Sequence, residues 1–134
     1  MIRRYRRPDS RSAASLLEAA EKEMGYTLTL HPTDESASTI IRNIYECFRM
    51  LGDALLLVRG LEAIDHVHAI RELLTMRVQT SRPIQLIDHL RQLRHNINYY
   101  GYLPKQREAQ DAISLAKACF GPLRDAVSAA IKNS

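Results

Sequence analysis

Residues 37–60 read ASTIIRNIYECFRMLGDALLLVRG and carry the clearest periodic pattern in this chain. Their apolar side chains recur at three- and four-residue steps, which align them along one face of an α-helix. These residues are Ala37, Ile41, Ile44, Phe48, Leu51, Leu55 and Val58. Gly60 follows, and glycine commonly ends helices because it adopts left-handed backbone angles without strain. The pattern predicts a long amphipathic helix, with Thr33 or Asp34 as its N-terminal cap.

Helical patterns also precede and follow this stretch. Residues 12–24, SAASLLEAAEKEM, are rich in helix formers, and Gly25 predicts the end of that helix. The next segment, YTLTLHPTDESAS, predicts a connection, because four alternating residues are weak evidence for a strand. Downstream, a shorter helix is predicted from an apolar series made of Ala63, Val67, Ile70 and Leu74.

Two more helices complete the predicted architecture. Pro83 is well placed to begin the first, because proline is favoured in the opening turn of a helix. Its expected stripe is Leu86, Leu90, Leu93, Ile97 and Tyr100. The second keeps its stripe from Ala109 to Ala130 across Gly121-Pro122, where we expect a kink. The sequence therefore predicts an all-α fold, an antiparallel up-down bundle of four to five helices.

Composition places the chain among globular proteins. With 134 residues, 46% of them hydrophobic, it is long enough for one domain with its own core. No apolar run approaches the ~18 residues of a membrane span, and the basic start lacks the apolar stretch of a secretory signal. Cys47 and Cys119 fall on apolar stripes, which predicts buried thiols in a reducing compartment and hence a cytoplasmic protein. No phosphate-binding glycine loop or Cys-x-x-Cys pair is present, and no cofactor is expected.

Charge is distributed unevenly along the chain. Residues 1–11 carry five arginines against Asp9, residues 12–70 have four basic and nine acidic groups, and residues 71–107 have seven basic and two acidic groups. We expect residues 1–11 to form a basic arm, either a disordered tail or a contact for nucleic acid, and residues 12–134 to form the bundle. The cationic third block can attract phosphates, or it can pair with the acidic block within the fold or across a dimer.

One acidic and histidine cluster has a spacing that could hold a metal ion. Asp65, His68 and Glu72 share a helical face at i, i+3 and i+7. No fourth ligand is evident, so we expect a solvated face and no metal.

Residues 91–102, RQLRHNINYYGY, hold three of the six tyrosines and most of the candidate site. With the predicted stripe facing the core, Arg91, His95 and Asn98 lie on the opposite side and Arg94 lies at the border. Arg94 and Tyr99 are about 140° apart on a regular helix, so they meet only if the helix loosens or two copies face each other. On the same grounds His95 is expected to project away from Tyr99.

This segment, with IIRNIYECFRMLGDALLLVRG upstream, resembles HEPN domains (higher eukaryotes and prokaryotes nucleotide-binding). The long helix of that family carries Tyr-x-x-x-Phe, Leu-Leu and Gly, a pattern to which Tyr45, Leu55, Leu56 and Gly60 are loosely similar. The resemblance covers roughly residues 12 to 131 and implies a small helical bundle. Many members are metal-independent ribonucleases, often homodimeric, and many are toxins encoded beside a nucleotidyltransferase antitoxin.

The resemblance also assigns roles to individual residues. The family motif is arginine, a polar residue, two to four further residues and histidine, and it falls on Arg94, His95 and Tyr99, so tyrosine replaces the usual histidine. Arg94 would contact the phosphate, and Tyr99 would occupy the acid–base position, although a tyrosine with a pKa near ~10 is a poor base. The candidate RNA- or nucleotide-binding residues are Arg91, His95, Asn96, Asn98, Tyr102 and Lys105. The tyrosine that receives a nucleotide in some members is replaced by Gly101.

Three hypotheses remain open on the sequence. The first is a HEPN-like protein that binds or cleaves RNA, as a homodimer. The second is a catalytically inactive HEPN-like module that binds a nucleotide or partners a nucleotidyltransferase. The third is a structural dimerisation bundle in which residues 91–102 form a solvated helix end.

Overall fold

The apolar stripes of the sequence form five helices in the computed structural model, which describes residues 4–65 and 67–134. The helices are α1 (Ser10–Thr27), α2 (Ala37–Arg59), α3 (His68–Leu73), α4 (Leu86–Tyr100) and α5 (Gln106–Lys132). Two short strands, β1 (Arg4–Tyr5) and β2 (Leu61–Glu62), pair antiparallel with Arg4 opposite Glu62. The prediction of an all-α helical bundle is confirmed.

The long helix α2 lies at the centre of the bundle and packs against each of the other four helices. Its predicted stripe is buried apart from Val58, which is half-buried near the C-terminal end. Phe48 meets Phe120 of α5 edge to face, with ring centroids 5.9 Å apart. Gly60 ends the helix with φ 66°, as predicted.

A glycine inside α2 allows α3 to approach closely. A Cβ atom at Gly52 would lie 2.1 Å from the carbonyl oxygen of Ala69, far inside van der Waals contact. The backbone of α3 therefore rests directly on α2, and Leu73 and Ile70 beside it are fully buried.

The first helix is longer than predicted and the third is shorter. Helix α1 continues through Gly25 to Thr27, because Met24 and Thr27 are buried and tertiary packing outweighs the poor propensity of glycine. Helix α3 begins only at His68, so the predicted start near Ala63 is wrong. Asp65 accepts the backbone N–H groups of Val67 and His68 at 3.0 and 3.1 Å and so caps this helix.

The predicted cap of α2 belongs to another helix. Ser36 precedes α2, and its backbone N–H donates to the Thr33 hydroxyl at 3.0 Å. The Asp34 carboxylate instead accepts the backbone N–H of Gln106, the first residue of α5, at 2.7 Å. Asp34 thus joins the α1–α2 connection to the start of the last helix.

Helix α5 runs without interruption through Pro122, and its stripe is buried as predicted as far as Val127. Both cysteines are buried free thiols. Burial raises the pKa of the Cys47 thiol to about 12 and also raises that of Cys119, so both thiols stay protonated near neutral pH.

Residues 4–9 of the predicted basic arm lie against the C-terminal end of α2 and β2, whereas Ser10 and Arg11 form the first turn of α1. The backbone N–H of Arg6 donates to Gly60 O at 2.8 Å, and that of Asp9 to Leu57 O at 3.0 Å. Residues 1–3 of the predicted arm lie outside the described residues. Within the ranges given above, no helix is both long and apolar enough to cross a membrane.

Candidate functional site

Arg94 lies on the inner face of α4, where an apolar residue would be expected. The residues of α4 that face the core are Ile87, Leu90 and Ile97, and Arg94 continues their three- and four-residue register. Tyr100 is 76% exposed, so its predicted place on the apolar stripe is wrong. Arg94 is half-buried. Arginine seldom lies on a core face unless it has a partner, which makes this position unusual.

The partner of Arg94 is an aromatic ring. Its guanidinium carbon lies 5.3 Å from the centroid of Tyr45 on α2, within cation–π range. Tyr45 is 1% exposed, and burial raises the pKa of its phenol, so the ring stays neutral near pH 7. Within residues 4–65 and 67–134, Arg94 makes no ion pair with a carboxylate. Its N–H donors therefore have no anionic partner there.

Arg94 forms one wall of an open cleft of about 560 Å³. Helix α2 provides a second wall, and the β2–α3 connection and α3 provide the rest. The lining residues are Tyr45, Glu46, Arg49, Asp53, Ala63, Ile64, Asp65, Ala69 and Arg94. This volume falls within the ~300–1,000 Å³ of small-molecule sites.

The carboxylates of the cleft are already bound to other groups. Arg49 forms salt bridges with both Glu46 and Asp53, and Asp65 caps α3 as described above. Burial raises the pKa of Asp53, although the nearby Arg49 opposes this effect. The cleft holds three carboxylates and two guanidinium groups, so any anion selectivity depends on Arg94 itself.

Arg91, Asn96 and Asn98 make no hydrogen bond with Arg94 in the described part of the chain. Arg91 donates from Nε to Asp88 at 2.8 Å, a bond that raises the pKa of its guanidinium. The Asn96 carbonyl accepts the N–H groups of Gly101 and Tyr102 at the end of the helix. Asn98 is exposed to solvent. Among these predicted binding residues, Arg91 is paired with a carboxylate, and the backbone carbonyl of Asn96 accepts the hydrogen bonds that end the helix.

His95 does not project away from Tyr99, and that expectation is wrong. The two rings lie 4.7 Å apart, tilted by 43°, and the His95 ring also meets Tyr100 edge-on at 5.7 Å. Tyr99 is 61% exposed, so both tyrosine rings stand in solvent with the imidazole beside them. We call His95, Tyr99 and Tyr100 the aromatic cluster.

The turn after the cluster is fixed onto α5. Gly101 has φ 65° and ends α4 as predicted. The Tyr102 hydroxyl donates to Glu108 Oε1 at 2.8 Å, and the same oxygen accepts the Lys105 backbone N–H at 3.0 Å. The hydrogen bond to Glu108 raises the pKa of the Tyr102 phenol. The Lys105 and Arg107 side chains remain exposed beside this turn.

The Asp65, His68 and Glu72 series does not form a metal site in the part of the chain that the structure describes. Glu72 is 1% exposed and accepts a hydrogen bond from Arg59 at 2.7 Å. His68 is also 1% exposed, and neither ring nitrogen has a hydrogen-bond partner in the described chain. The predicted solvated face is wrong, because two of its three members are buried.

Tyr45, Arg49 and Asp53 were not predicted as site residues, and Asp65 was considered only as a metal ligand. The cleft forms where α2, the β2–α3 connection and α4 come together, and no pattern within one segment indicates it. An arginine in the register of Ile87, Leu90 and Ile97 was the available clue. Comparisons of this chain with protein-family models, curated proteins and solved structures return no match.

Proposed function

We propose that this chain is a HEPN-like protein that binds RNA or a nucleotide, with Arg94 as the phosphate contact. The observation that carries the proposal is the environment of Arg94: a guanidinium on the inner face of α4, facing an open cleft, held by an aromatic ring and by no carboxylate of the described chain. A guanidinium binds phosphate through two parallel hydrogen bonds and remains charged at every physiological pH. Tyr45 contacts the guanidinium by a cation–π interaction and uses none of its N–H donors.

The contrast with the neighbouring arginines supports the same conclusion. Arg49 and Arg91 each bind a carboxylate, so an incoming phosphate would have to replace an existing salt bridge. Arg94 would lose no such bond on binding phosphate. Residues 91–107 contain four basic and no acidic residues, so the surface around the helix end also favours a polyanion.

Cleavage of RNA is the second candidate, and one contact favours it. His95 lies beside Tyr99, so an imidazole and a phenol, two kinds of side chain used in general acid–base catalysis, are adjacent at the surface. In such a reaction the 2′-hydroxyl loses its proton to a base and attacks the adjacent phosphorus. The bond to the 5′-oxygen breaks, that oxygen takes a proton from an acid, and a cyclic phosphate forms.

Within one chain the geometry favours binding over cleavage. Arg94 is directed toward Tyr45 and the cleft, whereas His95, the next residue, is directed toward the exposed tyrosines. Successive side chains on a helix diverge by about 100°. A ribonuclease would therefore need a second copy, or a loosened helix end, to bring the cation and the acid–base pair onto one phosphate.

The test of binding is the affinity of the purified protein for a labelled single-stranded RNA, measured in chelator over a range of salt. We expect Arg94→Ala to weaken binding about tenfold and to reduce the slope of log affinity against log salt by about 0.7, one phosphate contact. Arg124→Ala is the matched control, because Arg124 lies on α5 against Glu21 and Asp125, away from the cleft. Equal effects of the two variants would refute the assignment of Arg94.

The test of cleavage uses the same RNA and a readout of its ends. Products with cyclic phosphate ends that disappear in Arg94→Ala would establish the second candidate. Loss of cleavage in Tyr99→Phe would then assign a catalytic role to the phenol, and loss of cleavage in His95→Ala would assign one to the imidazole. If the protein binds the RNA with full affinity and the RNA stays intact, the protein binds RNA without cleaving it.

A further inference from the structure

The end of α4 exposes more apolar surface than any other described part of the chain. Six large apolar side chains are exposed among the described residues, and four of them fall within residues 99–103. These four are Tyr99, Tyr100, Tyr102 and Leu103, with exposures from 42% to 76%. A concentration of this kind usually marks a binding surface rather than a solvated helix end.

We propose that His95, Tyr99 and Tyr100 form a platform on which unpaired bases stack, so that the protein selects single-stranded over double-stranded RNA. This inference rests on the proposed function, since it names the part of the RNA that is recognised beside the Arg94 phosphate contact. Aromatic side chains recognise single strands because every base has a π-face that only an unpaired strand can present freely.

The three rings of the platform contact one another within the chain. The His95 ring lies 4.7 Å from the Tyr99 ring and 5.7 Å from the Tyr100 ring, so the imidazole bridges the two phenols. Both tyrosines belong to the last turn of α4, which Gly101 closes and the Asn96 carbonyl completes. The bonds from Tyr102 and Lys105 to Glu108 then hold the turn on α5. A preformed surface avoids much of the ordering cost that binding otherwise requires.

The charge around the platform favours a nucleic acid over a second copy of this chain. Residues 88–108 carry Arg91, Arg94, Lys105 and Arg107 against two acids, Asp88 bound to Arg91 and Glu108 bound to the Tyr102 hydroxyl, and so keep a net charge of +2. Two copies that met through this surface would bring like charges together, which disfavours association. A strand of RNA brings phosphates to the same cations and bases to the same rings, and therefore complements both features.

The experiment compares three probes of equal length, roughly 12 nucleotides: a single-stranded RNA, the same RNA in a duplex, and an abasic strand that keeps the phosphates. The test protein carries Tyr99→Leu and Tyr100→Leu, which keep apolar surface and remove the rings. Tyr26→Leu is the matched control, because Tyr26 is 59% exposed on α1. The double Tyr→Phe variant at the same two positions should restore binding, since phenylalanine also stacks.

We expect the double leucine variant to bind single-stranded RNA about tenfold to a hundredfold more weakly, with an unchanged salt slope and unchanged affinity for the abasic strand and the duplex. Arg94→Ala should instead weaken the binding of all three probes. The absence of tryptophan allows a direct readout, because quenching of tyrosine fluorescence by the bound strand should fall in the double variant.

Four results would overturn the inference. Normal RNA binding by the leucine variant, with a defect in Arg94→Ala, would refute the platform and keep the proposed function. Equal loss on the abasic strand would show that the rings do not contact bases. A wild-type dimer in sedimentation that the leucine variant dissociates, with unchanged RNA affinity, would assign the patch to self-association. Absence of RNA binding by the wild type would refute both proposals.

Discussion

Gly52→Ala should destabilise this protein, although the same change normally stabilises a helix. Alanine in a helix interior is favoured over glycine by about 0.5–1 kcal/mol. At position 52, however, the added Cβ would lie 2.1 Å from the Ala69 carbonyl oxygen, about 1.3 Å closer than the 3.4 Å at which ordinary contact begins. The obstacle is backbone, which no change of rotamer can move, so α3 must shift as a whole. Overpacking costs about 1–3 kcal/mol, and an overlap with backbone belongs at the upper end of that range. After subtraction of the propensity gain of alanine, we expect a net loss of about 2 kcal/mol.

The assay is urea unfolding followed by circular dichroism, with Gly25→Ala as the matched control. Gly25 lies inside α1, and a Cβ there meets nothing within 4 Å, so that variant should gain about 0.5–1 kcal/mol. The two alanines should thus change the free energy of unfolding in opposite directions. A Gly52→Ala protein as stable as the wild type would refute the close approach of α3 to α2. Because Ala69 lines the cleft, the shift should also weaken RNA binding.

Three further predictions follow from contacts described above. Asp34→Ala should lose about 0.5–2 kcal/mol of stability through the uncapped Gln106 N–H, whereas the adjacent Glu35→Ala should be near neutral in the same unfolding assay. Arg59→Met should cost about 1–3 kcal/mol because it removes a hydrogen bond to the buried Glu72 carboxylate, and Arg59→Met combined with Glu72→Gln should recover part of that loss. Burial raises the pKa of the Cys47 thiol to about 12 in the folded protein, against 9.0 for an ordinary thiol. Between these two pH values the unfolded state binds fewer protons, so the stability of the fold should fall as the pH rises from 9.0 to about 12. Cys47→Ala should flatten that fall, and a thiol reagent at pH 8 should label Cys47 only after unfolding.

Patterns within single helices could be predicted from the sequence. The stripes of α2 and α5 lie in the core, because a sustained three- and four-residue period leaves one way to bury the apolar side chains. Gly60 and Gly101 end their helices with left-handed angles, and no competing contact overrides this preference. Continuity of α5 through Pro122 also followed from the unbroken stripe.

Features that depend on a second element were missed. Gly25 was expected to end α1, but buried Met24 and Thr27 on either side carry the helix past it. In α4 the predicted stripe is correct at Leu90 and Ile97 and wrong at Tyr100, which is 76% exposed, while Ile87 is fully buried. His95 lies beside Tyr99 because residues i and i+4 share one face of any α-helix, a relation that the sequence already contains. The site depends on where α4 meets α2, which no local pattern records.

The hydrogen bond from Gln106 to Asp34 has a consequence for the order in which the chain folds. It joins residues 72 positions apart, so the Gln106 N–H acquires this partner only after the α1–α2 connection has docked. Closing so long a loop is slow relative to helix formation, and the contact should form after the main transition state. Removal of the Asp34 carboxylate should then accelerate unfolding while leaving the refolding rate nearly unchanged. The link between the α1–α2 connection and the start of α5 would be among the last contacts to form and among the first to open.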